Sequence, residues 1–231
     1  MPTPVLLDCD PGHDDAIAIL LAAGRRDAVD LRAVTTVGGN AELEKVTLNA
    51  RRVLTLAGVA DVPIAAGAAR PRRGDLVTAL EVHGQSGLDG ADLPEPAMEV
   101  DPRGAVELMA ERGPATVVAT GPLTNVAALL EHAPEAVAEV VWMGGSTERG
   151  NTRPYAEFNA MVDPEAAQLV FESGVPVTMV GLNLTHQAQA TDDVVERFRA
   201  LGTPVGEAVI GWLSFFADTY RQVYGFGGPP V

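Results

Sequence analysis

The sequence predicts an α/β fold, a mostly parallel central sheet flanked by helices in a single domain over residues 1–231, and three observations carry that expectation. Short apolar or β-branched runs alternate with amphipathic helical stretches from the N-terminus onward. Strand-like runs end in turns rich in Gly, Pro or Asn, as at Pro11-Gly12, Gly38-Gly39-Asn40, Gly121-Pro122 and Gly144-Gly145. With 231 residues, 47% of them hydrophobic, the chain is long enough to bury a full core.

Val5-Leu6-Leu7, the Pro11-Gly12 break and the apolar pattern from Ala16 to Ala22 read as strand, tight turn and helix, the first half of a βαβ unit. Leu31 to Val37 is a second strand, and the spacing of Leu43, Val46, Val53 and Leu54 predicts a helix from about Glu42 to Ala57. Pro63 to Ala66 is a third short strand. A long polar segment, Gly67 to Asp101, follows without regular structure, and segments of that kind in compact domains tend to be functional. It carries His83 among Gly84, Gly87 and Gly90, glycines that allow close approach of backbone to a ligand. Gly104 to Arg112 reads as a helix, Ala115 to Ala119 as a strand, and Pro122 stands near the next helix start. Glu139 to Met143 is a strand. Asp163-Pro164 opens a helix to about Ser173, Val175 to Leu182 is a strand, and Thr191–Ala200 and Val205–Tyr224 are helices.

Four carboxylates crowd the first turn. Side chains alternate along a strand, so Asp8 and Asp10 share one side of its C-terminal end, while Asp14 and Asp15 fall in the first helical turn. Two carboxylates about 4 Å apart repel by roughly 4 kcal/mol at an effective dielectric near 20. The helix N-terminus supplies only about half a positive charge, which leaves a shared proton or a bound cation. An all-oxygen cluster suits a hard ion, Ca²⁺ or Mg²⁺, better than zinc. Simple helix capping would need one or two of these acids, not four. In α/β sheets ligands bind beyond the carboxyl ends of the strands, which puts this turn and Gly38-Gly39-Asn40 on one rim. Asn151, Glu157 and Asn159 lie within nine residues of sequence, a set of donors and acceptors suited to sugar hydroxyls; a polar surface loop would have the same composition.

Thirty-one acidic against sixteen basic residues give a formal charge of -15, which disfavours nucleic acid and anionic membranes as partners. Cys9 is the only cysteine, so an intrachain disulfide is excluded and a reducing cytoplasm is the expected location. Neither a signal peptide nor a membrane span is expected from the pattern.

Asp8-Cys9-Asp10-Pro11-Gly12-His13-Asp14-Asp15 resembles the N-terminal signature of the inosine-uridine preferring nucleoside hydrolases, Asp-x-Asp-x-x-x-Asp-Asp. The likeness continues in order through Gly39-Asn40, His83-Gly84-x-Ser86-Gly87-Leu88-Asp89-Gly90, Thr120-Gly121-Pro122-Leu123-Thr124-Asn125, Met143-Gly144-Gly145 and Ala156-Glu157-Phe158-Asn159-x-x-x-Asp163-Pro164. The resemblance implies a nucleoside hydrolase-like fold, hydrolysis of the N-glycosidic bond of purine or pyrimidine ribonucleosides to ribose and free base, and a bound Ca²⁺. It also implies that Asp10, Asp15 and the carbonyl of Thr124 are metal ligands, and that Asp10 is the base that activates a Ca²⁺-bound water. Asp14, Asn40, Met143, Asn151, Glu157 and Asn159 are then the ribose grip, His83 lies on the nucleobase side, and Tyr220, Gln222 and Tyr224 cover the base. Homodimers or homotetramers and a place in nucleoside salvage follow from the same likeness.

The family pattern runs on into a His-Asp pair, a substrate contact or proton donor and a further Ca²⁺ ligand, beyond the point where this sequence stops at Val231. About the last quarter of that pattern is therefore expected to be absent. Two other readings compete: a truncated, inactive metal- or ribose-binding relative, and a Mg²⁺-dependent phosphohydrolase of the haloacid dehalogenase type using Asp8 as nucleophile. The second would want a downstream lysine, and Lys45 is the only one in the chain.

Overall fold

The computed structural model describes the backbone of residues 1–224 and the side chains of residues 1–217. Its strands are β1 (Thr3–Cys9), β2 (Val29–Thr36), β3 (Ile64–Ala66), β4 (Ala115–Ala119), β5 (Val137–Met143) and β6 (Val177–Val180). Around them run α1 (His13–Gly24), α2 (Leu43–Leu56), α3 (Leu80–His83), α4 (Ala105–Arg112), α5 (Thr124–His132), α6 (Phe158–Val162), α7 (Pro164–Glu172), α8 (Leu182–Thr185), α9 (Asp192–Arg199) and α10 (Pro204–Tyr224). All five strand pairings are parallel, in the order β3-β2-β1-β4-β5-β6. The sheet is thus wholly parallel among the described residues, as the alternation of elements predicted.

Chain order reverses between β1 and β4, and the crevice at such a switch point is where parallel sheets hold ligands. Strand β1 is central and covered on both faces, which explains its unbroken apolar run. Its side chains alternate accordingly: Leu6 packs with Met109, Leu129 and Trp142 on one face, Leu7 with Ile19, Leu54 and Trp212 on the other. Register then carries Asp8 to the rim, opposite Thr35 of β2 and Ala119 of β4.

Several boundaries depart from expectation. The segment after β3 contains the one-turn helix α3, so His83 closes a helix rather than lying in an open loop. Glu157 caps the short helix α6 by accepting from the Asn159 and Ala160 amides, structure where the sequence suggested only a polar loop. Strand β6 spans Val177–Val180 only, because Gly181 leads into α8. Among the described residues no helix is long and apolar enough to cross a membrane.

Candidate active site

Three strand ends and one helix N-terminus meet at the acidic turn. Asp15, in the first turn of α1, is the hub: Oδ1 accepts from the Asp10 amide (3.3 Å) and the Thr120 hydroxyl (2.5 Å), and Oδ2 from the Gly12 amide (3.0 Å) and Asn40 Nδ2 (3.3 Å). Asp10 is fully buried, and its Oδ2 accepts from the Asn40 amide at 2.7 Å. Glycine is required around it, since a Cβ at Gly39 would overlap Asp10 Oδ2 and one at Gly121 would crowd Oδ1. Asp8 Oδ1 accepts from the Thr35 hydroxyl (2.6 Å) and Asn125 Nδ2 (2.8 Å). Asn125 also donates to Thr36 O and accepts from the Ala68 amide, so one amide ties β1, β2 and the turn after β3.

Crowding and burial show in the acidities. Loss of hydration, added to by the Asp15 charge, lifts Asp10 well above the usual carboxylate range. Asp8 and Asp14 are pushed up to about 7, mainly by burial. Asp15 is raised less simply, burial working against the hydrogen bonds from Thr120, Gly12 and Asp10. Cys9 is buried with its thiol pushed up by the same burial, a packing group rather than a reactive one.

Does this turn suit a cation? Asp10 Oδ1 and Asp8 Oδ2 are buried without any hydrogen-bond partner, so each is a desolvated oxygen that a cation would satisfy. The surrounding donor set is oxygen only, the chemistry of a hard ion. Of the four bonds to Asp15, the two long ones at 3.3 Å are those a ligand role would displace. Among the described residues no group of three His, Cys, Asp or Glu side chains is placed to hold a metal ion, so Asp10 and Asp15 would need other oxygen ligands beside them. The residues therefore fit a hard cation at Asp10 and Asp15 as part of a ligand set. Thr124 opens α5 with its hydroxyl turned away, donating to Asp163 at 2.6 Å, so only its carbonyl could serve.

Beside the acidic turn opens a cleft of about 650 Å³. Asp14, Asn40, Met143, Asn151, Glu157 and Asn159, the residues expected on the sugar side, line it together with His83, expected on the base side. Asn159 Nδ2 donates to Thr120 O (2.9 Å) and Met143 O (3.0 Å), which fixes the amide and leaves Oδ1 for a ligand. Glu157 is spent largely on backbone: Oε2 accepts from the Gly145 and Ala160 amides and Oε1 from Asn159 N. Asn151 accepts from the Phe158 amide through Oδ1 at 3.0 Å. The remaining lining mixes apolar Ile17, Leu21, Val77, Val82, Leu182 and Phe216 with Glu81, Thr185 and His186.

Thr120 and His13, which stand inside the quoted motifs without an assigned role, and Phe216, which the sequence did not single out, also bear on this site. Thr120 lines the cleft and binds Asp15; Phe216 stacks on both His13 and His83. Burial lowers the His13 pKa to about 4 and that of His83 well below its usual value, so both rings are uncharged at neutral pH. Tyr220, Gln222 and Tyr224 lie outside the residues whose side chains are described. Asp8, Asp10 and Asp15 are all buried and absent from the cleft lining, to which the acidic turn contributes Asp14, and Asp8 is held by Thr35 and Asn125 through Oδ1.

Comparison with known proteins supplies independent evidence. The family model for the inosine-uridine preferring nucleoside hydrolases matches residues 5–231. The chain is 49% identical over 240 residues to the pyrimidine-specific ribonucleoside hydrolase RihA of Photobacterium profundum, covering 100% of this chain and 77% of that relative. RihA of Citrobacter koseri is 50% identical over the same shares. Among solved structures, a plant nucleoside hydrolase superposes with a TM-score of 0.91 at 32% identity, covering 100% of this chain and 76% of that one. The purine-preferring ribonucleoside hydrolase from Gardnerella vaginalis also gives 0.91, at 30% identity, covering 97% of this chain and 75% of its own.

Proposed function

The chain belongs to the inosine-uridine preferring nucleoside hydrolase family, and from that premise we propose that it hydrolyses the N-glycosidic bond of ribonucleosides, with Asp10 as the base. The observation that carries this reading is a buried carboxylate, Asp10, that bears a partnerless oxygen and is bonded to Asn40, itself part of a cleft wall that also holds Asp14, Asn151, Glu157 and Asn159. Pyrimidine ribonucleosides are the preferred substrates on this reading, supported by 49% identity to pyrimidine-specific relatives against 30% to a purine-preferring one.

Asp10, Asp15 and the Thr124 carbonyl would hold Ca²⁺, which when bound supplies positive charge that acidifies water at the site. Asp10 accepts the proton of the attacking water. A free carboxyl with a raised pKa is a poor acid group to keep ionised, and positive charge beside it restores the carboxylate a base must be. Attack comes from the face of the ribose opposite the base, so the anomeric centre inverts. Glycosidic cleavage passes through an oxocarbenium-like state, and the anionic and amide oxygens of Asp14, Asn159 and Glu157 stabilise the positive charge that develops on the sugar. Met143 and Asn40 complete the sugar contacts, and the apolar wall with His83 receives the base. No recognition of nucleic acid or membrane is called for, and a homodimer or homotetramer in the cytoplasm is the expected state.

Release of free ribose from uridine tests the reading. The wild-type chain is expected to release it and Asp10→Asn to fall about 10³-fold, the usual worth of a positioned base. Equal release by the variant would remove Asp10 from the mechanism.

A further inference from the structure

Thr120 directly follows β4 and stands half-buried in the lining of the cleft. Its three polar groups reach three different parts of the site. The amide donates to the Asp8 carbonyl at 2.9 Å, the carbonyl accepts from Asn159 Nδ2 at 2.9 Å, and the hydroxyl donates to Asp15 Oδ1 at 2.5 Å. The two main-chain bonds are indifferent to the side chain at this position, whereas the third needs a hydroxyl.

Each oxygen of Asp15 has one short bond and one long one. On Oδ2 these come from the Gly12 amide (3.0 Å) and Asn40 Nδ2 (3.3 Å), on Oδ1 from the Thr120 hydroxyl (2.5 Å) and the Asp10 amide (3.3 Å). The Gly12 bond is the reach-back of a helical first turn and pins Oδ2 alone. The torsion that turns a carboxylate about its last bond is broad, so one fixed oxygen does not fix the plane. Thr120 supplies the second point, and among the described residues it is the one side-chain donor to Oδ1. Carboxylates that bind a metal are held in this way by neighbours behind them, and loss of such a neighbour typically costs about 10–100-fold in metal affinity.

We infer that Thr120 is a positioning residue: its hydroxyl fixes the plane of the Asp15 carboxylate beside Asp10 and so sets the affinity of the acidic turn for a hard divalent cation. The inference deepens the function proposed above and rests on Asp15 being a Ca²⁺ ligand there. Thr120 acts through Asp15 and not by touching the substrate. Because its carbonyl also holds the Asn159 amide, the cation side and the sugar side of the site share one anchor at the end of β4.

Calorimetric titration of Ca²⁺ into the chelator-stripped full chain reads this affinity without any substrate. Thr120→Val keeps the shape of the side chain and removes the donor, and should bind Ca²⁺ about 10–100-fold more weakly than the wild type. Thr120→Ser restores the hydroxyl and should recover most of that loss. The Ca²⁺ concentration that gives half-maximal ribose release from uridine should move by the same factor as the affinity. Equal or tighter binding by Thr120→Val overturns the inference, and so does binding by Thr120→Ser as weak as that of Thr120→Val. Lost hydrolysis in Thr120→Val at unchanged Ca²⁺ affinity also overturns it, because the hydroxyl would then serve the substrate directly. If Thr120→Val does not fold, Thr120→Ala against Thr120→Ser isolates the same hydroxyl. A wild-type chain that binds no Ca²⁺ defeats the cation reading and this inference with it, whereas wild-type binding matched by Thr120→Val defeats this inference alone.

Discussion

The two walls of the cleft are built in opposite ways. The carboxylate wall is assembled from the turns after β1, β2 and β4 and the starts of α1 and α6, and several of its polar atoms are tied to backbone: Asp15 to Gly12 and Asp10, Asn159 to Thr120 and Met143, Glu157 to Gly145 and Ala160. The opposite wall comes from α1, α3, α8 and α10, mainly apolar side chains with Glu81, His83, Thr185 and His186 among them. One wall has its geometry set by hydrogen bonds, the other by packing. This difference matches the proposed chemistry, in which the sugar must be held in one pose while the base needs mainly an apolar surface.

Substitutions in the carboxylate wall should separate chemistry from architecture. Asp10→Asn should cost the most activity, about 10³-fold, yet leave the melting temperature of the chelated protein equal or higher, because the amide replaces a carboxyl that burial and its neighbours already disfavour as an anion. A lower melting temperature would mean Asp10 is structural. Asp15→Ala should lose activity and also roughly 2–4 kcal/mol of stability, since four buried donors lose their acceptor; denaturant unfolding measures it, and an unchanged midpoint would deny its role as hub. Asn159→Ala should raise the KM for uridine about tenfold with a smaller change in kcat. An unchanged KM would take the amide out of the sugar grip. Away from both walls, Arg72→Ala breaks a largely exposed pair with Glu131 and should cost under about 1 kcal/mol with activity intact.

The same contrast decides what could be read from sequence. Strand β1, its turn and α1 were legible because an apolar run, a Pro-Gly break and a helical pattern adjoin one another, and α2 appears within a residue of expectation. Every expected sugar-side residue lines the cleft: Met143 ends β5, Asn40 follows β2, Asp14 lies in the first turn of α1, and Asn151, Glu157 and Asn159 follow β5, on the rim where parallel sheets bind ligands. Helices α3, α6 and α8, of four or five residues, are too short to show a helical period and went unread. The partnership of His13 with His83 and Phe216 was equally invisible: it joins segments far apart in sequence through packing, and no spacing announces it. Thr120 was quoted only as part of a turn, and its bond to Asp15 depends on β4 lying beside β1.

The central claim is that the acidic turn works by holding a hard cation against Asp10. Titrating Ca²⁺ into the chelated protein, while following both ribose release from uridine and the melting temperature, tests it most directly. The account predicts that turnover and thermal stability rise together and saturate at the same Ca²⁺ concentration. Turnover that is undiminished in chelator, or a melting temperature indifferent to Ca²⁺, would contradict it.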